Sequence, residues 1–167
     1  MTTRLRCFTL ALLTGSTFAL TDCSKSGEPE PRAPSQREIW LTTPGWRLVG
    51  YAFEETTAAG VTTTHPVPLT AFDPCSLDDL IYYHPNKDYT VDEGLDKCSV
   101  TYPSYLMRGT WAFASDETEL ILNPGQPGAK PDRIRTLTAT SLTLASPPDT
   151  LFPNGPTSVQ IRTYAAQ

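Results

Sequence analysis

Short runs rich in β-branched and aromatic residues, each ended by Pro, Gly, Asn or Asp, recur along most of this 167-residue chain. Such runs are typical of short strands joined by tight turns. No long segment has the 3.6-residue apolar period of a helix, and 16 prolines disfavour long helices. The predicted strands cover residues 46–55, 79–84, 88–92, 109–115, 118–123, 133–139, 142–146 and 158–164, with a weaker one at 61–64. The sequence therefore predicts an all-β domain of eight or nine antiparallel strands, arranged as an up-and-down barrel or a sandwich.

Alternation along these runs predicts which side chains face the interior, because successive side chains of a strand point to opposite faces. Trp46, Leu48 and Gly50 share one side of the first strand. Trp111 and Phe113 likewise share a side of a later strand. We expect these residues to face inward.

The run at 133–139 departs from a regular alternation. Ile134 and Leu137 are both apolar but are out of phase by one residue. An extra residue in one strand of an antiparallel pair restores the phase. The sequence therefore predicts a β-bulge or a register change between these two positions.

The amino terminus predicts export. Residues 1–6 contain two arginines and no acid, and residues 7–21 carry no charge. A basic start followed by an apolar run of this length is typical of a secretory signal peptide. The alternative, a permanent transmembrane helix, needs roughly 20 apolar residues, and Gly15 and Ser16 interrupt this shorter run. We expect residues 1–22 to be the signal peptide.

The residues that end the apolar run, Leu-Thr-Asp-Cys at 20–23, resemble the lipobox of bacterial lipoproteins. The resemblance implies diacylglyceryl modification of Cys23, cleavage just before it and acylation, for example with palmitate, of the new amino terminus. It also implies a cell-envelope location, at the outer membrane and facing the periplasm or the surface. Asp22 departs from the pattern, in which a small residue usually precedes the Cys. The alternative is an ordinary cleaved signal peptide followed by an incidental Cys.

The segment after Cys23 predicts a flexible tether. Residues 24–38 contain three prolines, one glycine and no aromatic residue, so they cannot bury enough apolar surface to offset their ordering entropy. The folded domain is therefore expected at 39–167. The net charge of −5 and the lack of a basic patch argue against nucleic acid as a partner. The membrane is expected to be reached through the lipid anchor alone, and the protein to be a monomer.

The remaining cysteines predict a disulfide. Cys7 lies in the signal peptide and Cys23 is the proposed anchor, so only Cys75 and Cys98 remain in the domain. In an oxidising compartment two such cysteines most simply pair with each other. A zinc site is the competing explanation, but it would have to combine these cysteines with the two histidines of the chain.

Catalytic and metal-binding patterns are weak, and we expect neither an enzyme nor a cofactor or metal. No Gly-x-Ser-x-Gly occurs, and His65 and His84 are each followed by proline, as expected of residues at turns or strand ends. The acids cluster between residues 73 and 96 without the spacing of a calcium loop. A solvated acidic face is the simpler interpretation, with Asp78 or Asp79 making hydrogen bonds that fix a hairpin.

The order of several segments supports a family resemblance. A Trp opens the first strand, a Cys precedes paired Asp residues and an aromatic strand, and a second Cys follows that hairpin. A Gly-x-Trp strand then leads into a hairpin that ends in Leu-x-Leu. The segments are 44–51, 73–83, 96–100, 108–122 and 135–144. Together they resemble the lipocalin-like domain of bacterial envelope lipoproteins, over about residues 41–146. The first strand lacks the Gly-x-Trp of lipocalins, because Gly45 directly precedes Trp46.

The resemblance implies an eight-stranded barrel whose interior either is filled by side chains or holds one small ligand. The candidate ligand contacts are Trp46, Tyr82, Trp111 and Phe113, with core packing as the alternative for each. In lipocalins a late arginine stacks on the first-strand Trp, so Arg162 is a candidate to lie over Trp46, or else it is an exposed strand residue.

Two functions follow from these alternatives. The first is a membrane-anchored lipoprotein that binds a small hydrophobic ligand in its barrel. The second is a structural or interaction lipoprotein whose barrel is filled and whose loops dock to a partner. The segments at 100–107 and 147–157, rich in Tyr, Phe, Leu and Pro, are expected either to cap a pocket or to plug the barrel end.

Overall fold

The structure is a computed structural model that describes residues 32–101, 103, 105–150 and 155–167. The described part of the chain belongs almost entirely to one compact unit, Pro34–Gln167. The predicted signal peptide, Cys23 and the tether as far as residue 31 lie outside the described residues. So do residues 102, 104 and 151–154 of the two segments expected at the barrel mouth.

The described residues form one α-helix and ten strands. The helix, α1, is Gln36–Thr42, and single 3-10 turns cover Leu69–Ala71 and Pro74–Ser76. The strands are β1 (Trp46–Thr56), β2 (Thr62–Val67), β3 (Leu80–Tyr83), β4 (Asp88–Asp92), β5 (Tyr105–Phe113), β6 (Glu119–Leu122), β7 (Pro131–Leu137), β8 (Ser141–Ala145), β9 (Asp149–Thr150) and β10 (Thr157–Ala166). Each predicted strand, including the weaker one, corresponds to one of these elements.

Eight of the strands form a closed antiparallel ring. Neighbours follow the order β1, β3, β4, β5, β6, β7, β8, β10, and β10 pairs back onto β1. The two other strands lie beside the ring, β2 on β1 and β9 on β10. The prediction of an all-β, antiparallel domain is therefore confirmed.

The ring is joined most weakly between β1 and β3, where only Trp46 and Ile81 pair. Further along β1, residues 51–56 pair instead with β2. The chain then crosses from β2 to β3 through residues 68–79, and Phe72 packs edge-on against Tyr51 with ring centroids 5.2 Å apart. This crossing segment therefore covers the side of the ring where strand pairing is shortest.

The bulge predicted in the strand at 133–139 is present. The register of β7 against β8 shifts between Ile134 and Thr136, which makes Arg135 the extra residue. As a result Ile134 and Leu137 are both buried, with 8% and 5% of their surface exposed. The prediction of a bulge from the phase of these two apolar residues is confirmed.

A second bulge, in β1, was not predicted. Leu48 pairs with Tyr164 and Gly50 with Thr163, so Val49 is the extra residue. Residues opposite each other in an antiparallel pair share a face. Gly50 therefore shares the face of Thr163 rather than that of Leu48, and the expectation that it faces inward is wrong. Val49 is apolar, so nothing in the sequence marks it as the extra residue.

Helix α1 was not predicted, and it covers the last residues of the expected tether. The side chain of Ser35 caps it by accepting a hydrogen bond from the backbone N–H of Glu38 at 3.1 Å. Leu41 is fully buried in the core. A seven-residue helix is too short to be stable alone, so this tertiary burial is what stabilises it.

The two ends of the ring differ. At the closed end, α1 meets the turns at 84–87 and 114–118: Lys87 pairs with Glu38 at 2.6 Å, and Ser35 donates to Glu117 at 2.8 Å. The start of β1, the end of β10 and the turn at 138–140 lie at this end too. At the open end lie the connections β1–β2, β4–β5, β6–β7 and β8–β10. The core fills the ring interior with Leu41, Trp46, Tyr83, Tyr89, Trp111, Leu120, Ile134, Leu137, Leu142, Leu144 and Tyr164.

Candidate functional site

A cavity of about 560 Å³ lies at the open end of the ring. Strand residues that face the interior form its floor, and the β6–β7 and β8–β10 connections form its walls. The lining combines apolar and polar groups in similar measure. It consists of Tyr89, Leu122, Asn123, Gln126, Pro127, Gly128, Ala129, Lys130, Asp132, Ser146, Pro147, Asp149 and Gln160. We call this the open-end cavity.

An ion pair lies inside the ring beside this cavity. Asp132 is opposite Leu120, which is fully buried, and therefore points inward. Arg162 is opposite Leu144, which is 2% exposed, and points inward too. The Arg162 Nη2 lies 2.6 Å from the Asp132 Oδ1, and the two side chains are only 26% and 13% exposed. The pair thus bridges β7 and β10 across β8 within the interior.

Two tyrosines surround the Arg162 guanidinium. Burial raises the pKa of Tyr83 well above its ordinary range. Burial likewise raises the pKa of Tyr164, although its hydrogen bond with Arg162 acts in the opposite direction. Desolvation disfavours the charged guanidinium, but the neighbouring Tyr164 and Asp132 outweigh it and raise the pKa of Arg162. Both phenols therefore stay neutral, and Arg162 stays charged.

The structure separates the four predicted ligand contacts from the open-end cavity. Trp46 and Trp111 are 0% and 1% exposed, and Phe113 packs edge-on against Trp111 at 5.3 Å. Each indole N–H donates to a backbone carbonyl, Trp46 to Leu41 at 2.9 Å and Trp111 to His84 at 3.0 Å. These three aromatic side chains are core residues, and none of them lines the cavity.

Tyr82 lies on the opposite face of its strand from this core. The side chains on either side of it, Ile81 and Tyr83, pack in the interior. The ring of Tyr82 lies instead against Gly45, where an added Cβ would come within 2.8 Å of Cε1. The structure therefore does not bring Tyr82 together with the other three candidates.

Arg162 occupies neither of its two expected positions. It is not a fully exposed strand residue, and its guanidinium pairs with Asp132. Trp46 lies opposite Ala166 on β10, whereas Arg162 lies opposite Tyr51. Another cation, Lys87, lies over an indole ring, 4.1 Å from the centre of Trp111.

Cys75 and Cys98 form a disulfide, as predicted, with Cα atoms 5.1 Å apart. It links the crossing segment to the β4–β5 connection. Next to it, Asp78 accepts a hydrogen bond from the N–H of Asp96 at 2.9 Å. One of the paired acids thus makes a structural hydrogen bond, as expected, but to the β4–β5 connection rather than within a hairpin. Glu93, only 2% exposed, accepts one from the N–H of Cys98 at 2.8 Å.

Asp79 is the third carboxylate that holds this connection, through the N–H of Gly94. Burial, followed by the charges of Asp78 and Glu93, raises the pKa of Asp79 above its ordinary 3.8. Among the described residues, one oxygen of each of these three carboxylates is buried without a hydrogen-bond partner. The connection is therefore held in place by carboxylates that repel one another.

Groups of metal-ligating side chains are absent from the part of the chain that the structure describes. There, no three His, Cys, Asp or Glu side chains are grouped so as to hold a metal ion. None of the helices within the same ranges combines the length and hydrophobicity required to cross a bilayer. The ring of His84 contacts the hydroxyl of Thr90 at 3.1 Å, and His65 lies 3.7 Å from Glu55.

Comparison with protein families and curated proteins yields no relative. The sequence matches no protein-family model, and no curated protein is significantly similar to it.

Proposed function

We propose that this protein is a bacterial envelope lipoprotein whose lipocalin-like barrel binds a small, partly apolar ligand in the open-end cavity, without a catalytic role. The observation that carries the proposal is the cavity of about 560 Å³ at the one end of the ring that α1 does not cover. Pockets for small molecules typically measure roughly 300–1,000 Å³ and occur at the mouths of barrels.

The lining of the cavity supports a ligand with two kinds of surface. Leu122, Pro127, Ala129 and Pro147 offer apolar contact. Gln160 and Asp132, on the floor of the cavity, offer hydrogen bonds. A few polar groups among apolar ones orient a ligand, whereas the apolar contacts supply most of its affinity. A purely hydrophobic ligand would leave the polar floor without partners, so the ligand should carry at least one polar group.

The proposed lipid anchor suits this arrangement. The chain enters the domain at Ser35, whose side chain contacts the closed end through Glu117. A tether that leads from an acylated Cys23 would therefore join the domain at the end opposite the cavity. Several acyl chains, at roughly 0.8 kcal/mol per buried methylene, would hold such a protein on a membrane. Replacement of Cys23 by Ser should release the protein from membranes, and retention there would contradict the anchor.

Native mass spectrometry tests the ligand. The full-length protein, purified from its own host, should carry a reproducible additional mass of lipid or metabolite size. The variant Ala129→Trp fills the cavity and should lose that mass, because Ala129 lines it. Ala139→Trp places the same bulk in the exposed turn at the closed end and should keep it. A wild-type protein without added mass that shows no thermal shift in a metabolite screen would contradict the binding function.

The interaction lipoprotein is the second candidate, and one observation favours it. Leu95 and Val100 lie on the β4–β5 connection, which the disulfide cross-links, and they are 98% and 95% exposed. Exposed aliphatic side chains on a fixed connection are suited to contact with a partner. Loss of a specific cross-linked partner in Leu95→Asp, together with an empty cavity, would favour this function over ligand binding.

A further inference from the structure

The ion pair inside the ring carries an inference about which ligands the cavity accepts, and this inference rests on the proposed binding function. A single charge facing a cavity attracts a ligand of opposite charge, because the interior screens charge less than water does. Here the charge of Arg162 is already met by Asp132 at 2.6 Å. The charge of the guanidinium is therefore cancelled within the protein before any ligand arrives.

The remaining hydrogen-bonding capacity of Arg162 is limited. One side of the guanidinium pairs with Asp132, and Tyr164 is a second built-in partner. The Nε atom is buried and has no partner among the described residues. An orphaned buried donor of this kind is costly unless a ligand or a water supplies an acceptor. Arg162 is not among the residues that line the cavity, so Asp132 is the member of the pair that a ligand meets.

We propose that Asp132 is a specificity-determining residue, a built-in counterion that excludes anionic ligands and makes the open-end cavity selective for uncharged amphiphiles with a hydrogen-bonding head. A carboxylate would have to displace Asp132 from Arg162 or be buried beside a like charge, and both are unfavourable. An amide, ester or hydroxyl can hydrogen-bond with Asn123 or Gln160, which line the cavity, without displacing anything. Its apolar body would then contact Leu122 and Ala129.

Octanamide and octanoate are a matched pair of probes, because they share a chain and differ in the charge of the head. Their binding to the full-length protein in lipid nanodiscs should be measured by calorimetry at neutral pH, with empty nanodiscs subtracted. The wild type should bind octanamide about tenfold or more tightly than octanoate. This measurement needs no variant, so it tests the proposal even if substitutions at the ion pair destabilise the domain.

The variant Asp132→Asn reverses the expected selectivity. It frees the guanidinium of Arg162 at nearly constant shape, so octanoate should gain roughly tenfold to a hundredfold in affinity from a charge-assisted hydrogen bond. Asp149→Asn is the matched control, since it removes one negative charge from the same cavity away from the guanidinium. This control should not gain octanoate binding. Arg162→Gln should not gain it either, because it leaves Asp132 facing the cavity alone.

The outcomes separate this inference from the proposed function. Equal binding of both probes to the wild type would overturn the selectivity and leave ligand binding intact. An equal gain of octanoate in D132N and D149N would mean that overall charge, not the counterion, sets the selectivity. Failure of D132N to gain octanoate while it still binds octanamide would overturn the role of Asp132. If no variant binds either probe, both the selectivity and the binding function fall.

Discussion

The closed end and the open end of the same ring are built from different chemistry. At the closed end Leu41, Trp46 and Trp111 have essentially no exposed surface, and each indole N–H meets a backbone carbonyl. At the open end the interior holds the Asp132–Arg162 pair beside a cavity of about 560 Å³. Strand geometry does not cause this difference, because the same strands run through both ends.

The difference shows where the stability of the domain originates. Burial of large apolar side chains is the main favourable term in folding, and the closed end concentrates it. A partly buried ion pair adds little net stability, since desolvation offsets much of the attraction between its charges. The open end therefore relies on the closed end for its stability and is free to hold polar groups that would weaken a core.

The largest expected effect is at the closed end. Trp46→Ala removes a fully buried side chain and the hydrogen bond to Leu41, so it should lower the free energy of unfolding by about 3–5 kcal/mol. Leu122→Ala, at the cavity, should cost clearly less, because Leu122 is only partly buried and borders an existing cavity. Urea denaturation of both variants measures the difference. Equal losses would mean that the two ends contribute alike.

The second-largest effect on stability is expected for the disulfide that links the crossing segment to the β4–β5 connection at the open end. Replacing Cys75 and Cys98 together by Ser should lower stability by about 3 kcal/mol, because the unfolded chain regains the entropy that the cross-link removes. Wild-type protein unfolded under reducing conditions is the control and should match the variant. A variant as stable as the oxidised wild type would show that the disulfide does not stabilise the domain.

The helix cap gives a smaller effect at the closed end. Ser35→Ala removes the acceptor for the N–H of Glu38 and the contact with Glu117, and should cost about 1 kcal/mol. Ser35→Asp keeps the cap acceptor and should lose less, although it faces the Glu117 carboxylate. Thermal unfolding distinguishes the two variants. An unchanged melting temperature in Ser35→Ala would mean that α1 does not need its cap.

The smallest effect concerns the carboxylates at the open end and depends on pH. The pKa of Asp79 is raised in the folded state, so protonation of Asp79 stabilises the fold. This stabilisation is fully present below pH 3.8, the ordinary pKa that applies to the unfolded chain. It is lost as the pH rises through the higher pKa of the folded state. Asp79→Asn should therefore stabilise the protein at neutral pH, by about 0.5 kcal/mol, a size typical of substitutions near the surface. This advantage should shrink as the pH falls.

Unfolding measured at several pH values for wild type and Asp79→Asn tests this dependence. Asp73→Asn is a suitable control, because Asp73 is an exposed carboxyl of the same crossing segment. It should leave the pH dependence of stability unchanged. A gain in Asp79→Asn that is independent of pH would show that repulsion among the carboxylates is not its cause.

Local patterns in the sequence were sufficient for the strands and for one of the two bulges. The misphased Ile134 and Leu137 reveal the extra residue at Arg135, because both must reach the core. The bulge at Val49 has no such sign in the sequence, because Trp46, Leu48 and Gly50 continue a regular alternation across it. A bulge is predictable only where the apolar residues on its two sides would otherwise point to opposite faces of the strand.

The features that the sequence did not reveal depend on contacts between distant residues. Helix α1 is a short, mostly polar stretch that is stabilised by the burial of Leu41 against strands far along the chain. Asp132 and Arg162 meet only because the registers of β7, β8 and β10 bring them together. Alternation places Arg162 on the same face as the buried Tyr164, and this was the one available sign that it points inward.

The pairing of β1 with β10 also constrains the order in which parts of the chain can fold. Trp46 lies opposite Ala166, and the N–H of Gln167 donates to the carbonyl of Gly45 at 2.9 Å. The first strand therefore pairs with a strand that lies much later in the chain. Contacts between such distant parts of a sequence slow folding, because a long loop must close before they form. Closure of the ring is therefore a late event in folding, and a chain that lacks β10 would leave β1 without its main partner.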